Sequence, residues 1–214
     1  MTTTQARKRD DRVAMRTERW NFLGACSVVP SRSGRCPARR LRDRQENGEV
    51  IDVMVWEAAR EQATKLRQEH QTSDPYVIAR ELGLDVIETV TPVGMAGMIV
   101  KKRGEAAQIF IDSSDVPGRR RFTCAHELGH FVERENIARD DDFSFRDERG
   151  GRYDLHEFFA DEFAGELLMP AHDFERLERE GATTTTIAHT FGVSTTAVER
   201  RRDRLRKNPA RSWV

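Results

Sequence analysis

The pentapeptide His126-Glu127-Leu128-Gly129-His130 combines residue types and a spacing that suit metal chemistry. Residues four positions apart lie on one face of a helix, so both imidazoles can bind the same ion. Glu127 follows the first histidine and can accept a proton from a water molecule that the ion activates. We therefore predict a divalent metal centre with His126 and His130 as ligands and Glu127 as the general base.

The neighbouring residues indicate that this motif lies in a packed helix. Gly129 costs about 1 kcal/mol inside a helix, so its presence predicts a close approach by another element. Cys124 is two positions before His126 and points to the opposite side, so we interpret it as a small buried residue rather than a ligand. An apolar surface flanks the motif, formed by Phe122, Ala125, Leu128, Phe131 and Val132.

A catalytic zinc ion needs a third protein ligand and an open fourth position. His156 would point about 100° away from Glu157 around a helix, and His172 follows Pro170 outside that helix. The candidates for the third ligand are His156, Glu157, Asp161, Glu162 and His172.

Two linked segments resemble the ImmA/IrrE family of metallopeptidases. Arg121-Phe122-Thr123-Cys124-Ala125 precedes the first histidine as in the family pattern R-F-T-x-A, and residues 157–170 follow E-x-x-A-[ND]-x-F-A-x-x-L-L-M-P almost unbroken. The resemblance extends over residues 54–207. It implies a zincin-like fold, Glu157 as the third ligand, and cleavage of a protein partner, often a repressor.

Further residues have expected roles around this site. Asp161 lies on the helical face of Glu157 and can accept the free N–H of a ligating histidine, which fixes the tautomer of the ring. Tyr153, with Arg152, precedes the helix and is a candidate to stabilise the oxyanion, although both also suit an ordinary loop. Zinc is the expected ion, and manganese or iron also suit two histidines and a carboxylate.

The remaining pattern predicts an α+β fold. Helical periodicity covers 54–70 and continues from Pro75 to Gly83. Three short strands, 84–90, 96–101 and 107–111, suit a small, largely antiparallel sheet, which would pack against the helix of the motif. A loop rich in Asp, Arg and Gly is expected from 136 to 154, followed by a helix over 155–169.

Residues 187–198 are typical of a helix-turn-helix pair, with Gly192 at the turn. Basic residues follow in the second helix and suit phosphate contacts with DNA, but base-reading side chains are not evident. The resemblance implies instead that the pair packs on the catalytic body, although Arg202 stands where the family usually has an apolar residue. The basic residues are Arg200, Arg201, Arg202, Arg204, Arg206 and Lys207.

These patterns divide the chain into three parts: a disordered basic extension over 1–50, a zinc metallopeptidase-like domain over 51–172, and a helical segment with a tail over 173–214. The extension holds twelve Lys and Arg against six Asp and Glu, although the 214-residue chain carries no net charge. Residues 16–22 lack the apolar core of a secretion signal.

The composition excludes several classes of protein. No run approaches the roughly 18 apolar residues of a membrane span. Three cysteines are too few and scattered for a disulfide framework, which favours a reducing cytoplasm. The metal motif and this composition predict a cytoplasmic, zinc-dependent hydrolase. The resemblance to ImmA/IrrE proteins implies that it is an endopeptidase of regulatory type, with a helix-turn-helix repressor as its protein partner. The alternatives are a DNA-binding regulator with a structural or sensory metal site, and a toxin–antitoxin component that mainly binds a partner.

Overall fold

The computed structural model describes residues 49–139, 142–148 and 154–209. The predicted extension 1–50 lies outside the described residues except for its last two positions, where the first described helix begins. The described elements confirm the α+β class. In chain order they are α1 (Glu49–His70), α2 (Pro75–Glu81), β1 (Asp85–Thr89), β2 (Met95–Lys101), β3 (Gln108–Asp112), α3 (Pro117–Val132), β4 (Phe143–Glu148), α4 (Leu155–Leu168), α5 (Ala171–Arg179), α6 (Thr184–Phe191) and α7 (Thr195–Lys207).

The sheet differs from the predicted three-stranded antiparallel arrangement. Within the described residues it has four strands in the order β1-β3-β2-β4, and β1 pairs with β3 in parallel. β2 runs antiparallel to both of its neighbours. β3 takes an inner position because Ile109 and Ile111 are fully buried, whereas β1 is largely exposed and forms an edge.

Strand β4 lies within the segment that the sequence predicts to be a loop. Its apolar residues Phe143 and Phe145 alternate with Ser144 and Arg146, which is the period of a strand with one buried face. The surrounding Asp, Arg and Gly residues obscure this short pattern. Strand β4 is relevant to function because it places Phe145 against His130 of the histidine motif.

Helix α3 carries the histidine motif through the centre of the molecule. Pro117 opens the helix at its first turn, and the six residues Glu133–Ala138 continue it in π-helical form. A Cβ atom on Gly129 would lie 2.9 Å from the Cα of Ala160, so the glycine permits the close contact between α3 and α4 that its position predicts. The two helices thus bring the histidines and the downstream carboxylates to one place.

Helix α4 begins at a point set by Asp154. The Asp154 side chain accepts hydrogen bonds from the backbone N–H groups of His156 (2.9 Å) and Glu157 (3.1 Å). On another face α4 packs against α1, where Ala59 and Ala63 are fully buried and Trp56 stacks on Phe158. Helix α5, which follows α4 directly, was not predicted from the sequence.

The C-terminal helices α6 and α7 meet at a turn where Gly192 has a φ of 64°. Ser194 caps α7 by accepting a hydrogen bond from the N–H of Ala197. Ile187 and Val198 are fully buried, so the pair packs together as two crossing helices. In the described residues, no helix is both long enough and apolar enough to cross a membrane.

Candidate metal centre

Helices α3 and α4 bring His126, His130 and Glu157 together. The Nε2 atoms of the two histidines are 3.2 Å apart. Glu157 places Oε2 3.3 Å from His126 Nε2 and Oε1 3.4 Å from His130 Nε2. These ligand atoms all lie within 4.8 Å of one another, and no fourth His, Cys, Asp or Glu joins the group in the described part of the chain.

These distances suit a tetrahedral ion. Zinc–nitrogen bonds of about 2.0–2.1 Å put the corners of a tetrahedron roughly 3.3–3.4 Å apart, close to the separations found here. The two Nε2 atoms also face each other at 3.2 Å. A cation bound to both nitrogens would stabilise this arrangement of two neutral imidazole rings. Two histidines and a carboxylate therefore fit a single divalent ion and leave its fourth position open.

Each histidine ring is held from its other side. His126 Nδ1 lies 3.1 Å from Asp161 Oδ1, within hydrogen-bond distance, so Asp161 is directed at the ring and not at the point between the three candidate ligands. His130 stacks on Phe145 of β4 with 4.4 Å between the ring centroids. No hydrogen-bond partner of His130 Nδ1 occurs among the described residues. Packing thus orients one ring, and a carboxylate orients the other.

The carboxylate of Glu127 is fully buried. Neither oxygen has a hydrogen-bond partner in the structure within the described residues. Burial raises the pKa of Glu127 to about 8; His126 opposes this increase, and the Asp147 and Glu157 carboxylates add to it. A buried carboxylate without hydrogen bonds is stable as an anion only near a compensating cation, which an ion on the adjacent histidines would provide.

Burial and hydrogen bonds act in opposite directions on the candidate ligands. Burial alone would lower the pKa of His126, but its contacts with Asp161 and Glu157 raise it well above the usual value. For His130 burial prevails, and its pKa is lowered. Burial alone would raise the pKa of Glu157, yet hydrogen bonds with both histidines bring it below the usual range. Glu157 is therefore anionic at neutral pH.

The other candidate residues lie elsewhere. His156 Nδ1 is 2.7 Å from Glu133 Oε1, so its ring turns away from the centre. The Glu162 side chain is bound to arginines, and His172 is 85% exposed on the surface. Cys124 is a buried free cysteine, as predicted. Tyr153 lies outside the described residues.

Two nearby residues were not identified from the sequence. A Cβ atom on Gly97 of β2 would lie 2.7 Å from Glu127 Oε1. Asp147 of β4 pairs in register with Gly97 and shares the face of Phe145. Burial raises the pKa of Asp147, and Glu157 and Asp161 add to this effect, against His126 and His130. Only the pairing of β4 with β2 places this carboxylate beside the candidate ligands.

Half of the C-terminal basic residues face the protein. Arg201 is 2% exposed; it pairs with Glu162 (2.8 Å) and with Glu166. Arg204 pairs with Asp161 (2.6 Å) and with Glu162 (3.4 Å). Arg202, where the family usually has an apolar residue, pairs with Glu178. These three arginines therefore bind carboxylates of the same chain.

No curated protein matches the chain. The family model described as the IrrE N-terminal-like domain, a peptidase family, matches residues 79–202. That range contains the sheet, both helices that supply the histidines and Glu157, and most of α7. Because the match covers more than half of the sequence, this chain belongs to the IrrE N-terminal-like family of peptidases.

Proposed function

We propose that the chain is a zinc-dependent endopeptidase of regulatory type, which hydrolyses a peptide bond in a protein partner. The observation that carries the proposal is the convergence of His126, His130 and Glu157 beside the buried carboxylate of Glu127. Family membership supports peptidase activity in general. The choice of zinc rests on the ligand types and their separations, and manganese or iron suit the same ligands.

An ion held by the three ligands would supply Lewis-acid activation of water and of the substrate carbonyl. Glu127 then accepts the proton of the attacking water and delivers it to the leaving amine, which is the work of a general base followed by a general acid. Asp161 orients the ring of His126, and the stacked ring of Phe145 orients that of His130. Tyr153 stays a predicted stabiliser of the oxyanion.

The number of candidate ligands favours catalysis over a structural metal site. Structural zinc sites are closed by four protein ligands, whereas the group found in the described residues has three. A buried carboxylate that follows the first histidine and is not one of the three grouped residues is also typical of catalytic centres, where it serves as the general base. These two features argue against the alternative of a DNA-binding or toxin–antitoxin regulator with a structural or sensory metal site.

The proposed substrate is a transcriptional repressor with a helix-turn-helix domain. This choice rests on the resemblance of the two sequence motifs to ImmA/IrrE proteins. We place the reaction in the cytoplasm, because the three cysteines and the proposed partner suit that compartment. A role in DNA binding has less support, since Arg201, Arg202 and Arg204 are bound to carboxylates of the same chain.

The experiment that tests the proposal is incubation of the purified protein with repressors encoded next to it, with zinc or manganese added. Intact mass spectrometry would identify two fragments that add up to one repressor and one water molecule. Glu127→Gln is the matched control, because it preserves shape and cannot accept the proton. We expect it to bind zinc normally and to cleave about 10²–10⁴-fold more slowly.

The outcomes separate the two classes of function. Equal cleavage by the parent and Glu127→Gln would show that Glu127 is not the base. Binding of the repressor by both proteins, with neither cleaving it at any metal concentration, would favour the partner-binding alternative over the enzyme.

A further inference from the structure

The two carboxylate oxygens of Asp161 contact different parts of the molecule. Oδ1 lies 3.1 Å from His126 Nδ1, and Oδ2 lies 2.6 Å from Nη2 of Arg204. Arg204 follows Asp161 by 43 residues and comes from α7, the last described helix. One carboxylate thus connects the C-terminal helix to a candidate metal ligand.

Helix α7 is fixed on α4 at the position that this contact requires. Arg201, one turn before Arg204 on the same face, donates to the Met169 carbonyl (3.1 Å) and to the carboxylates of Glu162 and Glu166. A Cβ atom on Gly165 would lie 3.3 Å from Arg201 Nη1, so α4 is shaped to admit this guanidinium. Arg201 therefore anchors the helix independently of Arg204.

The Arg204 guanidinium has two further contacts besides its ion pair with Asp161 Oδ2. Its Nη1 lies 3.4 Å from Glu162 Oε2, and its central carbon, Cζ, lies 5.2 Å from the centroid of the Phe158 ring. A planar guanidinium with donors in a fixed fork keeps a carboxylate in one orientation, which a flexible cation does less well. Because Arg60 and Arg201 already bind Glu162, the charge of Glu162 does not itself require Arg204.

We infer that Arg204 is a positioning residue for the metal centre, which acts through Asp161 on the ring of His126. The inference rests on the metal site of the proposed function. Without Arg204, the Asp161 carboxylate would rotate more freely, and the His126 ring would lose part of its fixed orientation. The C-terminal helix thereby becomes a component of the metal site, although it supplies none of the three candidate ligands.

Zinc affinity measures this effect without any substrate. The dissociation constant for Zn²⁺ would be determined by competition with a chromogenic chelator for the full chain, Arg204→Gln and Arg60→Gln. Hydrogen-bond partners of metal ligands typically contribute about 10–100-fold in affinity, and Arg204 acts one contact further out, so we expect about a tenfold loss for Arg204→Gln. Arg60→Gln is the matched control, since Arg60 contacts Glu162 and the Asn208 carbonyl but not Asp161. The dissociation constant of Arg60→Gln for Zn²⁺ should stay within about twofold of that of the parent.

A double-mutant cycle identifies the route. If Arg204 acts through Asp161, the Arg204→Gln change should lower the zinc affinity little further in a protein that already carries Asp161→Asn. Arg204→Lys keeps the positive charge but loses the planar guanidinium with its two parallel donors. Its zinc affinity should therefore lie between those of the parent and Arg204→Gln. In the Co²⁺-substituted proteins, Arg204→Gln should alter the visible absorption bands, whereas Arg60→Gln should not.

Three results would overturn the inference. They are parental zinc affinity in Arg204→Gln, an equal loss in Arg60→Gln, and fully additive losses in the cycle. Melting temperatures of the metal-free variants would show whether Arg204→Gln has a general loss of folding. If it has, the zinc affinity of Arg204→Lys is compared with that of the parent, and an equal affinity would overturn the inference. Failure of the parent chain to bind Zn²⁺, Mn²⁺ and Fe²⁺ would refute the metal site of the proposed function, and with it the inference that rests on that site.

Discussion

Gly97 lies so close to Glu127 that a Cβ atom on its backbone would be 2.7 Å from Glu127 Oε1 and 2.5 Å from Thr123 Cγ2. The glycine thus gives the carboxylate the space in which it lies. We expect Gly97→Ala to displace the Glu127 side chain and to reduce cleavage of the protein partner by about tenfold or more, because catalysis depends on the exact position of the base. Overpacking of this kind typically costs about 1–3 kcal/mol of stability, which thermal unfolding would measure.

Thr123→Ser separates the two effects of that substitution. It removes Cγ2, so the double variant Gly97→Ala, Thr123→Ser should recover most of the lost stability. The contact with Glu127 stays, so cleavage should remain slow. Recovery of the full rate in the double variant would show that the position of Glu127 does not depend on Gly97.

Metal removal should lower the melting temperature. An ion that binds only the folded chain, at a free concentration 100-fold above its dissociation constant, stabilises it by about 2.7 kcal/mol. For a chain of this size that corresponds to roughly 5–10 °C, which a chelator should abolish. The double variant His126→Ala, His130→Ala should not respond to zinc or to the chelator. Stoichiometric metal in that variant would contradict the assignment of both ligands.

Asp147 should influence the pH dependence of cleavage. Its carboxylate contributes to the raised pKa of Glu127, after the larger effect of burial. Asp147→Asn removes that contribution, so the pKa of Glu127 falls and its base form persists to lower pH. The acidic limb of the kcat/KM profile should therefore move to lower pH. Asp203→Asn, which makes the same charge change on the exposed face of α7, should leave the limb in place. A shift to higher pH would contradict the prediction.

Glu162 should contribute stability that disappears in acid. Burial alone would raise its pKa, but Arg201, Arg60 and Arg204 lower it below the usual 4.5. A lowered pKa in the folded state stabilises the protein fully above pH 4.5, and this contribution decreases as the pH falls towards the folded-state value. At pH 7, Glu162→Gln should lose about 3 kcal/mol or more, because the buried Arg201 loses a charged partner.

The size of that loss should depend on pH. The difference in unfolding free energy between the parent and Glu162→Gln should narrow between pH 5 and pH 3, as urea titrations would show. Glu178→Gln, which breaks the more exposed pair with Arg202, should cost less than about 1 kcal/mol at any pH. A constant difference for Glu162→Gln across this range would show that Glu162 is not ionised differently in the folded and unfolded chain.

The sequence predicts most of what local spacing determines. The four-residue separation of His126 and His130 predicts a shared helical face, and Gly129 predicts the close approach that Ala160 makes. Strand β4 was missed because only Phe143 and Phe145 mark it within a polar segment. The effect of Asp147 on Glu127 then depends on the pairing of β4 with β2, which no local pattern reveals.

The C-terminal arginines show a second limit of sequence analysis. Six basic residues in one helix suit phosphate contacts as well as intramolecular pairs. The distinction depends on which face of α7 meets α4, and hence on carboxylates about 40 positions earlier in the chain. Arg201 and Arg204 face those carboxylates, whereas Arg200 and Arg206 are exposed.

Glu162 connects segments that are far apart in the chain: Arg60 precedes it by 102 residues and Arg204 follows it by 42. Arg60 also donates to the carbonyl of Asn208, a contact that spans 148 residues. Proteins with such distant contacts fold slowly, because large loops must close first. During synthesis the histidines and Glu157 emerge well before α7. A nascent chain therefore has all three candidate ligands before Arg204 becomes available to hold Asp161 against His126.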